Sequence, residues 1–159
     1  MKTKFSFILV ITLLFPVLTF GQEDFYNRLA EAAIELTKQR VRYDPAYVRI
    51  PYPGGDVPAD RGVCTDVVIR AYRKLDIDLP KEVHVDMKAN SNLYPKQWGL
   101  NRPDTNLNHR RVPNLKKFLS LPGTELPKTL KQNDYHHRHI LSWMLPGNHT
   151  HRSIISPRK

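Results

Sequence analysis

The chain has 159 residues, 25 Lys and Arg against 15 Asp and Glu, a formal charge of +10 and one cysteine. A lone cysteine excludes an internal disulfide framework, and thirteen prolines point to a loop-rich domain and not a helical bundle. The basic residues are scattered, without the clustering among aromatics that marks a nucleic-acid surface, so no nucleic-acid partner is expected. The positive charge suits an anionic envelope polymer.

Lys2 and Lys4 precede a largely apolar, uncharged run from Phe5 to Phe20, and Thr19-Phe20-Gly21 ends it with small residues where a signal peptidase cuts. Residues 1–21 are therefore expected to be a secretory signal peptide, cleaved near Gly21–Gln22. A retained membrane anchor is the competing reading, because the run is close to the lower limit for crossing a bilayer. No cysteine follows the run, which excludes a bacterial lipoprotein anchor. Residues 22–159 are the expected single domain, secreted or periplasmic, with no stable membrane insertion after cleavage. Removing Lys2 and Lys4 lowers the formal charge from +10 to +8.

Phe25, Leu29, Ala32, Ala33 and Leu36 recur at helical spacing and predict a helix over 23–42, stopped by Tyr43-Asp44-Pro45. Tyr52-Pro53-Gly54-Gly55-Asp56-Val57-Pro58 is too rich in turn formers for a long helix or a central strand. A second helix is expected from Cys64 to Leu75, with Cys64, Val67, Val68, Ala71, Tyr72 and Leu75 on its buried side. Shorter helices are expected over 81–89 and 114–119, separated by long loops. Two β-like runs close the chain: Ile140 to Leu145, then Thr150 to Ser156, with Pro146-Gly147-Asn148 as the turn between them.

Cys64 falls in the first turn of the second helix. Unsatisfied N–H groups there and the helix dipole favour a thiolate, so a nucleophile is one reading. A buried cysteine acting as a small apolar side chain is the other. A nucleophilic thiol needs a base within hydrogen-bond reach. Five of the seven histidines lie between positions 136 and 151. Among them, His149 and His151 share one face of a strand by their i, i+2 spacing. With a single cysteine and no ligand motif, the cluster is not expected to bind zinc, and no metal or cofactor is expected. Asp66 in the first helical turn suits helix capping. His109, Arg110 and Arg111 form a loop that could either grip a substrate carboxylate or be held by salt bridges.

Several runs together resemble a bacterial family known as domain of unknown function 1287. They are Tyr52-Pro53 with Asp56-Val57-Pro58, and Gly62-Val63-Cys64-Thr65-Asp66-Val67-Val68-Ile69-Arg70. His84 with Asp86-Met87, Tyr94-Pro95 with Trp98-Gly99-Leu100, Pro103-Asp104, and His109-Arg110-Arg111-Val112-Pro113-Asn114-Leu115 follow in order. That family looks related to NlpC-type papain-like cysteine peptidases, many of which cut peptide amide bonds of the cell wall. The resemblance implies an α+β, papain-like (NlpC-type) fold, with N-terminal helices packed on a small antiparallel sheet. It also implies Cys64 as nucleophile and His151 as its base, with His149 the nearby competitor; Asp66, His109, Arg110 and Arg111 remain candidate substrate contacts on their residue chemistry alone.

The chain departs from the family pattern at its end. It has His137-Arg138-His139 in place of Pro-Gly-Asp, and Arg152-Ser153-Ile154 in place of an Ile-Gly-Ile-like run. By the same resemblance the sheet is expected to be incomplete at the C-terminus, without a third catalytic residue. Two functions follow as expectations. One is a secreted cysteine hydrolase, an amidase or peptidase acting on peptidoglycan peptides or a related envelope polymer. The other is a non-catalytic envelope-binding module.

Overall fold

A computed structural model describes residues 23–97, 99, 102–137 and 139–157. The expected signal peptide lies outside them, as do Trp98, Leu100 and Arg138.

Helix α1 covers 23–36 and is shorter than its periodicity predicts. Thr37 Oγ1 donates to the Ile34 carbonyl at 2.7 Å in the closing turn. Arg42–Tyr43 then forms strand β1 and pairs in parallel with β2, Arg61–Gly62. Long-range pairing takes over the backbone that a longer helix would have used: Arg42 N–H donates to Asp60 and Asp44 N–H to Gly62. Local propensity is a weak prior against such pairing.

Helix α2, Cys64–Arg73, begins where the sequence places it. Its buried face is made by Thr65, Asp66, Val68, Ile69, Ala71 and Tyr72, so Val67, expected in the apolar stripe, is exposed. The arginines near its far end do more than complement the dipole. Arg70 Nε meets Asp56 at 2.9 Å, and its Nη2 donates to the carbonyls of Val57, Pro58 and Arg61. Arg73 donates to the Gly55 carbonyl at 2.8 Å. These bonds hold the turn-rich segment against the helix, satisfying carbonyls that have no ladder partner.

Helix α3 is Leu79–Ala89, with Pro80 in its first turn, where a missing N–H costs nothing. A 3₁₀ turn at Asn108–Arg110 leads into α4, Val112–Ser120. Strand β3, Ile140–Leu145, returns as β4, His149–Ile154, in an antiparallel hairpin. The second strand thus starts and ends before the expected 150–156. Gly147 and Asn148 turn the chain with φ of 80° and 64°, values that favour these two residue types.

Leu29, Val68, Ile69, Leu79, Val83, Tyr94 and Leu115 are central to the core, drawn from α1–α4 and the loop after α3. Ile140 and Ile154 add the hairpin to it, and β4 packs on α2 and α4. Among the described residues the architecture is mixed α+β, helices with two small sheets. No helix among them is long and apolar enough to cross a membrane.

Candidate active site at the start of helix α2

Cys64 is the first helical residue of α2 and is partly exposed. The turn around it is fixed from three sides. Asp66 Oδ2 accepts the Val63 N–H at 2.7 Å, which satisfies one donor at the helix start. Gly62 makes room for this cap: a Cβ there would lie 2.9 Å from Asp66 Oδ2. Thr65 Oγ1 donates to the Arg110 carbonyl at 2.9 Å, tying the helix to the 3₁₀ turn.

Arg110 completes the clamp. Its Nε and Nη2 reach the two Asp66 oxygens at 3.0 and 2.9 Å, with both side chains buried. A bidentate fork of this kind fixes geometry as well as charge. Asp66 therefore caps the helix, and Arg110 takes the salt-bridged option of the two open to its loop. His109, between these groups, is 2% exposed. Burial pushes its imidazole down to about 4, so it is neutral at pH 7. Arg111 lines a separate cavity, in which Cys64 has no part.

Strand β4 lies against α2, as expected for a strand meant to meet Cys64. The register pairs Arg152 with Ser142 and His151 with Trp143. Side chains alternate along a strand. Arg152 thus shares the face of Ile140 and Ile154, which pack on the core. His151 shares the other face with Trp143, their rings 4.7 Å apart, and His149 stands opposite Leu145 on that same face. Among the described residues, no hydrogen bond or ring contact joins Cys64 to either histidine.

Arg152 feels the Cys64 sulfur electrostatically. It is 4% exposed, donates through Nε to Ser142 Oγ at 3.0 Å, and leaves Nη1 buried without a partner. Burial lowers its guanidinium to about 10, opposed by Tyr72 and Cys64, so it is a cation at neutral pH. Burial also raises the Tyr72 hydroxyl to about 12. Neither residue was a sequence-level candidate. The signal for Arg152 was its arrival in a run where the family resemblance has isoleucine.

The half-buried thiol, pinned helix start and buried cation belong to a mixed α+β protein whose class is given by comparison. The model of the family described as Domain of unknown function (DUF1287) matches residues 30–159, and the chain belongs to that family. It is similar to the uncharacterized protein YijF of Escherichia coli (strain K12), 46% identical over 128 residues. That alignment covers 80% of this chain and 62% of YijF, so the chain spans less than two thirds of that relative's length. No solved structure matches the chain.

Proposed function

We propose that the protein is a cysteine hydrolase, an amidase or peptidase of the NlpC, papain-like type, acting outside the cytoplasm on peptide amide bonds of the cell wall. The observation that carries this reading is a partly exposed Cys64 at the first position of a helix whose initial turn is clamped by Asp66, Arg110 and Thr65. Nucleophiles need such positional restraint. Arg152 adds a buried cation that interacts electrostatically with Cys64. The formal charge of +8 on residues 22–159 favours encounter with an anionic envelope polymer.

In the proposed reaction the Cys64 sulfur adds to the amide carbonyl. The C–N bond then breaks, and the amine leaves with a proton from the His151 imidazolium. Water, deprotonated by the same imidazole, hydrolyses the thioester and restores the thiolate–imidazolium pair. The Cys64 backbone N–H, which has no intrahelical acceptor at the first helical position, is the proposed oxyanion donor. This scheme requires β4 to turn its His151 face toward α2, displacing the buried Arg152. His149 is the alternative base.

One observation favours a second reading, a non-catalytic envelope-binding module: β4 turns Arg152 toward Cys64 and both histidines onto its other face. Digestion of purified peptidoglycan, read by mass spectrometry, separates the two. Hydrolysis by the wild type that is lost in Cys64→Ala and in His151→Ala supports the hydrolase. Binding of wall fragments with no cleavage by the wild type selects the module.

A further inference from the structure

The 3₁₀ turn at Asn108–Arg110 is held by little of its own. Arg110 N–H donates to the Leu107 carbonyl at 3.0 Å and Arg111 N–H to the Asn108 carbonyl at 3.3 Å. Short 3₁₀ segments have poorer hydrogen-bond geometry than α-helices, so such a turn opens more readily than the helices it touches. Its outward ties run through side chains. Asn114 Nδ2 donates to the Asn108 carbonyl, and Thr65 Oγ1 donates to the Arg110 carbonyl. Arg110 forks onto Asp66, which in turn accepts the Val63 N–H. The bonds that fix the residues on either side of Cys64 therefore pass through this turn.

His109 is the middle residue of the turn and is buried. Helices α2, α3 and α4 pack on the turn. The charges acting on the ring are Asp66 on α2, Asp78 at the N-cap of α3, Asp104 in the preceding loop and Arg110 beside it. The buried faces of α3 and α4 carry no charged side chain. Asp66 acts on the ring most strongly of these charges, but Arg110 already engages both its oxygens. An imidazolium here is stripped of water, and it gains Asp66 only by displacing Arg110.

We propose that the turn is an acid-sensitive latch on the start of α2: protonation of His109 opens it, withdraws Arg110 from Asp66 and Thr65, and frees the segment that carries Cys64. In the open turn the ring regains water and holds its proton at the ordinary value of 6.5; in the closed turn burial lowers that value to about 4. The closed form is fully favoured above the higher value and loses ground as pH falls toward the lower. Between pH 7 and pH 5 the open form gains about 20-fold on the closed one, in a window above the ordinary range of carboxylates. The latch acts on the helix start whatever chemistry Cys64 performs.

Amide hydrogen exchange, followed residue by residue from pH 7 to pH 5 and corrected for the intrinsic effect of pH, tests it. At pH 5 the opening constants of Val63, Arg110 and Arg111 should exceed those of the core residues Ala71 and Met87 by at least about tenfold. Across the series they should rise about 20-fold, and in His109→Gln that rise should vanish. Equal opening constants at latch and core amides mean that the turn opens only with the whole fold, which overturns the latch. Opening that is flat with pH in the wild type also overturns it, and a full rise in His109→Gln overturns the assignment to His109. The comparison of latch and core amides needs only the wild type, so it decides the matter even where the variant does not fold.

Discussion

Acidification should destabilise the fold through one identifiable residue, His109. Its imidazole is buried in the 3₁₀ turn, and desolvation lowers it from 6.5 to about 4. Asp66, Asp104 and Asp78 oppose that shift, while Arg110 reinforces it. Between these two values the unfolded chain binds a proton that the folded chain refuses. Stability is therefore complete above the unfolded value and is lost as pH falls through the folded one. Each unit is 1.36 kcal/mol, so the loss amounts to about 3 kcal/mol, a large share of an ordinary domain's stability. Urea denaturation at a series of pH values measures it, and the histidine ring signals report the midpoint directly. A His109 midpoint near 4, and a smaller loss on acidification in His109→Gln than in the wild type, are expected. A midpoint near 6.5, or equal pH dependence in wild type and variant, would refute the reasoning.

Other substitutions probe the clamp and the buried cation. Arg110→Ala strands the Asp66 carboxylate in a buried position and should cost about 3–5 kcal/mol, measured by chemical denaturation. Arg152→Ile removes an unpaired buried Nη1 and should stabilise by about 1–3 kcal/mol, read as a higher melting temperature. Gly62→Ala brings a methyl group to 2.9 Å from Asp66 Oδ2 and should lose about 1–3 kcal/mol, seen in the same melts.

The elements most legible in the sequence were those dictated by local chemistry. The start of α2 at Cys64, the α3 and α4 segments and the terminal hairpin all follow from periodicity and turn residues. The end of α1 was misplaced because 37–42 has helical composition but its backbone is drawn into turns and the parallel β1–β2 pair. A two-residue pairing across a turn-rich loop leaves no periodic trace. Asp66 was readable as a cap, since acidic residues in a first helical turn usually serve that end. Its second bond, to Arg110 across 44 residues, was not, because sequence spacing carries no information about which distant arginine arrives. The facing of β4 was the other unreadable feature. Strand alternation places His149 and His151 together, but only the register with β3 decides which face meets α2, and that face carries Arg152.

The central claim is that the Cys64 sulfur forms a covalent acyl intermediate. Intact-mass analysis of protein acid-quenched during incubation with a wall-derived peptide tests it most directly. The account predicts an added acyl mass, mapped to Cys64 and missing from Cys64→Ala. Hydrolysis by the wild type with no adduct, and undiminished in Cys64→Ala, would contradict it.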